Sequence, residues 1–254
     1  MHKSTFNSLL TILQVHRKKP LPHILPTFES MYHFHTTINH HGLHAIIFHD
    51  DYSFNETFVK KHTSEYIKFV RIEAPSFDNN EPIISPNDFR FVVFNTWLKE
   101  NSQQNENGQT LVNGIQYDWY MISDLDVFFH RNPFPYLDEY SKRLNLTFFG
   151  SWDGGTWENE QMRLQRKLFR NCYGRKMLLT WKEDVEWKTP NGNCGLWAGR
   201  FTEVSCILDC MASQYDAPPV QGKGSSTICD MVTHDYCVHY GMKSAQSFIT
   251  HSTP

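Results

Sequence analysis

Apolar and polar positions along this chain follow two periods, and the switches between them lay out its elements. Residues 9–15 and 45–48 are short apolar runs rich in β-formers, which predicts buried strands; residues 66–72 alternate and predict a third. A stripe of Phe28, Met31, Tyr32 and His35 predicts a helix over 25–40. Ser85-Pro86-Asn87-Asp88 is a helix start, with a Ser cap, Pro at the first helical position and an acid in the first turn. The helix it opens is expected to carry Phe89, Val92, Val93 and Trp97 inward. Residues 101–113 are polar and rich in Asn, Gln and Gly, and read as a surface loop. An aromatic, apolar run from Tyr117 to Ile122 predicts a buried strand, and Asn132-Pro133-Phe134 marks a break after it.

Residues 146–155 predict a further strand and a glycine turn, ending at Gly154-Gly155. Met162, Leu164, Leu168 and Phe169 mark a helix over 158–171. Asn191-Gly192-Asn193-Cys194-Gly195-Leu196-Trp197-Ala198-Gly199 is a short apolar strand flanked by glycines, which let a backbone approach a ligand closely. A packed helix is expected over 206–211, and another over 225–240 with Gly241 as its cap. Strands that alternate with helical stretches give an α/β fold class.

The most informative chemistry stands at the end of the aromatic strand, in Ser123-Asp124-Leu125-Asp126. In extended backbone, residues two apart share a side, so both carboxylates can converge on one point. Two such carboxylates need a cation between them, and hard ions such as Mg²⁺ or Mn²⁺ suit a few carboxylates plus substrate phosphates. This pattern resembles the Asp-X-Asp motif of metal-dependent, nucleotide-sugar glycosyltransferases of the GT-A fold.

That resemblance implies a Rossmann-like, mixed central sheet flanked by helices, in one domain spanning residues 1–254. The nucleotide-binding part would cover about 8–130 and the acceptor-binding part about 131–254. It implies Mn²⁺ or Mg²⁺ as cofactor, a nucleoside diphosphate sugar as donor (a UDP-sugar foremost) and a glycan or glycoprotein acceptor. Asp126 would bind the metal directly, and Asp124 would reach the ribose or the metal's water shell. His239 and His251 are the candidate third ligands. Asp50 and Asp51, after the second strand, stand where such enzymes hold base and ribose; they read equally well as a plain turn. Arg90, near a helix start, is the candidate phosphate contact. Asn193 and Gly195 resemble the Asn-X-Gly strand beside the donor sugar in that family. His234-Asp235 resembles the His-Asp-Glu helix of some retaining members, but Tyr236 stands in place of the Glu. Asp235 is therefore the first candidate for a base that deprotonates the acceptor, with Asp153 and Asp230 behind it. The same aspartates would also serve a metal-dependent nucleotidyltransferase or hydrolase. The many Trp and Tyr residues would suit a non-catalytic carbohydrate-binding module.

Composition narrows the partners. A net charge of -3 over 254 residues argues against a general nucleic-acid binder. No apolar run approaches the ~20 residues that span a bilayer, so no membrane span is expected in this chain. The six cysteines lie at 172, 194, 206, 210, 229 and 237 without zinc-knuckle spacing, and free thiols in a reducing, cytoplasmic setting are expected. The alternative is disulfides in a Golgi or secretory lumen, for an excised catalytic domain. Two glycosylation sequons, Asn55-Glu56-Thr57 and Asn145-Leu146-Thr147, belong to that alternative.

Overall fold

A computed structural model describes residues 8–14, 43–49, 54–72, 86–124, 127, 132–156, 190–215, 234 and 237–238, with backbone alone at 8–14, 86–89, 152–156, 190–194 and 214–215. In chain order the elements are β1 (Ser8–Gln14), β2 (Leu43–His49), α1 (Glu56–His62), β3 (Ile67–Arg71) and α2 (Pro86–Asn101). They continue with β4 (Ser102–Gln104), β5 (Thr110–Val112), β6 (Trp119–Ser123), α3 (Phe134–Leu144), β7 (Phe148–Thr156), β8 (Pro190–Gly199) and α4 (Phe201–Tyr215). The helices expected over 25–40 and 158–171 fall outside the described residues. Of the one expected over 225–240, only His234, Cys237 and Val238 are described, all helical.

Among the described residues the main sheet has six strands, in the order β3-β2-β1-β6-β8-β7. β1 pairs in parallel with both β2 and β6, and β2 pairs in parallel with β3. β8 runs antiparallel to β6, so the sheet is mixed. The apolar runs explain this arrangement. All five residues of β6 are buried, as in a strand covered on both faces, and β2 buries all but His44.

The chain divides into two compact units. The first comprises Met1–Ala74, Thr96–Phe149 and Gly195–Val204. Its core joins Leu43, Ala45 and Ile47 of β2 to Trp119 and Met121 of β6, with Phe54, Ile67, Phe134 and Ala198 around them. Arg200 closes the amino end of β6. Its guanidinium lies 3.9 Å over the Trp119 ring, and it donates to the Asp118 carbonyl oxygen at 2.7 Å. It also sits 3.4 Å from the Asp138 carboxylate of α3, which Lys142 grips at 2.6 Å. Burial pushes the Asp138 carboxyl up, but Lys142, the Trp119 indole and Arg200 together hold it below the usual carboxylate range.

Several elements depart from the sequence expectation. Residues 101–113 form an antiparallel hairpin of β4 and β5 rather than a loop. The Asn105 side chain accepts from the backbone N–H groups of Asn107 and Gln109, and Gly108 takes a left-handed φ of 73° to turn the chain. α2 begins at Pro86 as expected, but it fully buries Phe91, Phe94 and Leu98, while Val92, Val93 and Trp97 are half-buried. β7 runs through Gly154-Gly155 to Thr156, where a turn was expected. α1 and α3 were not expected at all. α1 is capped by Asn55, whose side chain accepts from Phe58 N–H at 2.8 Å. α3 follows Asn132, whose side chain accepts from Phe134 N–H at 3.0 Å.

In the second unit, Cys210 of α4 and Cys237 are joined as a disulfide with Cα atoms 5.6 Å apart. This corrects the expectation of free thiols at these two positions. α4 and the helical residues 237–238 bring together two cysteines 27 residues apart in sequence, which spacing alone does not reveal. Closing a loop of that length restricts the unfolded chain, so Cys210→Ser should lower unfolding stability by about 3 kcal/mol. Urea unfolding of the oxidised protein, the reduced protein and the variant checks this, with the last two expected to share one lowered midpoint.

Candidate functional site

In an open α/β sheet, ligands bind outside the carboxyl ends of the strands, where the strand order reverses. Here that reversal is at β1. The chain steps outward from β1 to β2 and β3 on one side, and later places β6 on the other. The shared parallel direction puts the carboxyl ends of β1, β2, β3 and β6 along one edge, at Gln14, His49, Arg71 and Ser123. Asp50 and Asp51 follow His49 directly in sequence, and Asp124 follows Ser123. The acidic stretches singled out by sequence thus succeed two strands at the edge where such folds bind ligands.

Asp124 is half-buried and its backbone is held from three sides. Its N–H donates to the Gly195 carbonyl oxygen of β8 at 2.6 Å, extending the register in which Ser123 faces Leu196. Its own carbonyl oxygen accepts from the Ser123 hydroxyl at 2.9 Å and from Val127 N–H at 3.4 Å. Two separately predicted residues, Asp124 and Gly195, are therefore neighbours across a strand pair. Gly195 is buried, so the backbone of β8 comes close at this point without a side chain in between. Ser123 is the site residue that sequence reasoning missed. It is fully buried. A lone hydroxyl ending an apolar run, just before an acidic pair, is the signal that marks it.

The opposite edge of the sheet is aromatic. His44, at the start of β2, meets Tyr66 and Tyr117 edge-on at 5.5 and 5.3 Å, and Tyr117 meets Tyr120 at 5.7 Å. Burial, and then the charge of Lys68, lower the His44 pKa. Burial pushes the Tyr117 hydroxyl up to about 12 and raises Tyr120 as well, so this cluster is neutral at ordinary pH.

Arg90 lies on α2 in the second unit, buried, with its guanidinium 4.7 Å over the Phe91 ring. Asp153 is in β7 and Asn193 in β8, both with backbone alone described. His234, beside Asp235 in sequence, is buried and helical. Asp50, Asp51, Asp126, Asp230, Asp235, His239 and His251 lie outside the described residues. Among the described residues, no group of three His, Cys, Asp or Glu side chains is placed to hold a metal ion. Nor is any helix among them long and apolar enough to cross a membrane.

No protein-family model matches the chain, and no curated protein matches it in sequence. Among solved structures, core-mannan synthase A (CmsA/Ktr4) of Aspergillus fumigatus in its Mn/GDP form is similar over 95% of this chain and 71% of its own, at TM-score 0.40 and 13% identity. The mannosyltransferase Ktr4p of S. cerevisiae is similar over 82% of this chain at TM-score 0.35 and 9% identity. Its complex with GDP is similar over 91% at TM-score 0.34 and 10% identity. This chain spans 63% and 61% of the length of those two yeast structures.

Proposed function

We propose that this chain is a metal-dependent glycosyltransferase of the GT-A type. It would move a sugar from a nucleoside diphosphate donor, a UDP-sugar foremost, to a hydroxyl of a glycan or glycoprotein. One observation carries this function: the Asp124 backbone is locked onto the Gly195 carbonyl, at the carboxyl end of a buried strand beside the sheet's switch point. One residue of each motif, Asp124 and Gly195, is joined there through the backbone, which supports reading the two as one site.

The donor set fits a hard divalent cation, since Asp124 and Asp126 offer carboxylate oxygens two residues apart. Mn²⁺ or Mg²⁺, when bound, neutralises the departing diphosphate. Asp126 would hold the ion directly, with His251 as third ligand, and Asp124 would orient the ribose or the ion's water shell. Asp50 and Asp51 would serve base and ribose, Arg90 the phosphates, and Asn193 and Gly195 the donor sugar. Asp235 would take the proton of the acceptor hydroxyl if configuration inverts, with Asp153 and Asp230 as alternates. Residues 1–254 would act as one catalytic domain, the nucleotide side in about 8–130 and the acceptor side in about 131–254.

Calorimetric titration of UDP and of GDP, with and without Mn²⁺, tests this function. Tight binding of one nucleotide only in the presence of the metal is the expected result. No nucleotide binding under any metal condition would sink it. Sugar binding indifferent to metal and nucleotide would identify a carbohydrate-binding module instead.

A further inference from the structure

The sequon Asn145-Leu146-Thr147 plays no part in the proposed reaction, and its surroundings give it a different use. Asn145 is the C-cap of α3, exposed, in the left-handed conformation at φ 54° and ψ 47°. That conformation is one that asparagine tolerates and most side chains do not. No hydrogen bond of its carboxamide to another described residue accompanies it. The residues beside it are fastened down: Leu146 is buried and its N–H donates to the Ser141 carbonyl oxygen at 3.1 Å, while the Thr147 hydroxyl donates to Glu203 at 2.9 Å.

Two further observations bear on what the carboxamide carries. Tyr136, Tyr140 and Leu144 are 43%, 43% and 41% exposed, and their spacing of four puts them on one stripe of α3 that runs up to Asn145. The Arg143 guanidinium lies 4.5 Å over the Tyr140 ring, and the C–H faces of a sugar pack well on the tyrosine and leucine surface that stays exposed beside it. Independently, the Cys210–Cys237 disulfide belongs to an oxidising compartment, where sequons are glycosylated.

We propose that Asn145 carries an N-linked oligosaccharide whose first sugars lie over Tyr140 and Leu144. In the transfer, Nδ2 of Asn145 attacks the anomeric carbon of an oligosaccharide carried on a polyprenyl pyrophosphate. A new N–C bond forms as the C–O bond to pyrophosphate breaks, the lipid pyrophosphate leaves with the electron pair, and an amide proton passes to a base of the membrane-bound transferase. Glu203 occupies the Thr147 hydroxyl in the folded protein, so the transfer takes place on the chain before this segment folds. Asn55 is also exposed, but its carboxamide caps α1.

The test is peptide mapping of the protein purified from the cells that make it. After enzymatic deglycosylation in heavy-oxygen water, the tryptic peptide spanning residues 144–163 should be recovered with labelled Asp at position 145. The Asn145→Asp variant, which keeps a residue tolerant of the left-handed conformation, should lose the whole of the corresponding gel shift, while Thr147→Ser keeps it. Recovery of that peptide with unmodified Asn145, or a glycan at Asn55 alone, would overturn the proposal.

Discussion

Asp126→Ala should lower sugar transfer by about a thousandfold at saturating donor and Mn²⁺. The loss follows from the chemistry assigned to the ion: its stabilisation of the developing diphosphate charge is worth several kcal/mol, and each ~1.4 kcal/mol is a factor of ten in rate. The fold should be untouched, because β6 ends at Ser123 and its pairing to β8 runs through backbone groups from Tyr120 to Asp124. The assay therefore compares kcat and KM for the donor in wild type and variant, alongside thermal unfolding of both. A large fall in kcat with an unchanged melting temperature is the expected pattern. Turnover within a few fold of wild type would remove Asp126 from the metal site, whatever nucleotide the protein binds.

β2 and β6 are legible in the sequence because they are buried on both faces. Ala45-Ile46-Ile47-Phe48 and Trp119-Tyr120-Met121-Ile122 contain no polar residue, and such runs fit no amphipathic helix. What the sequence hides is hidden for local reasons. α1 is only seven residues long, too short for its period to show. α3 carries an amphipathic period, but its start at Asn132-Pro133-Phe134 reads in sequence as a break. α2 is crowded with aromatic and aliphatic residues all round, and only packing decides that Phe91 and Phe94 go in rather than Val92 and Val93. β4 is Ser-Gln-Gln and β5 Thr-Leu-Val, three residues each and too short for an alternating period to show.

The candidate site is legible as motifs but not as a place. Asp-X-Asp and Asn-X-Gly each stand out by residue type. That Asp124 and Gly195 face each other depends on β8 running antiparallel to β6, a pairing between segments 71 residues apart that no local pattern encodes (Gly195 minus Asp124). Ser123 looks like a flaw in an apolar strand until its hydroxyl is seen to hold the Asp124 carbonyl. The disulfide is hidden likewise, since six cysteines leave many pairings open and only the fold brings Cys210 to Cys237.

Trp119→Ala should lower unfolding stability by about 3–5 kcal/mol, the range for a large aromatic removed from a core. Trp119 is fully buried at the first position of β6, packs 5.7 Å from the Phe149 ring and sits in the cluster that joins β2 to β6. Its removal opens a cavity between strands whose registers are fixed by backbone hydrogen bonds, so the surroundings have little room to collapse. It also takes the π face from under Arg200, leaving that guanidinium with the Asp118 carbonyl and Asp138 only among the contacts described above. Arg200→Met separates the two contributions. It keeps an apolar stem over the indole and removes the cation, which should cost about 1–2 kcal/mol for the cation–π contact and about 1.5 kcal/mol for the hydrogen bond to the Asp118 carbonyl. In the double variant the Arg200 change should cost less than it does alone, because its aromatic partner is already gone. Denaturant unfolding of the four proteins measures this coupling. A Trp119→Ala loss below about 1 kcal/mol would place the indole outside a close-packed core, since cavities of that size are not formed so cheaply in native interiors.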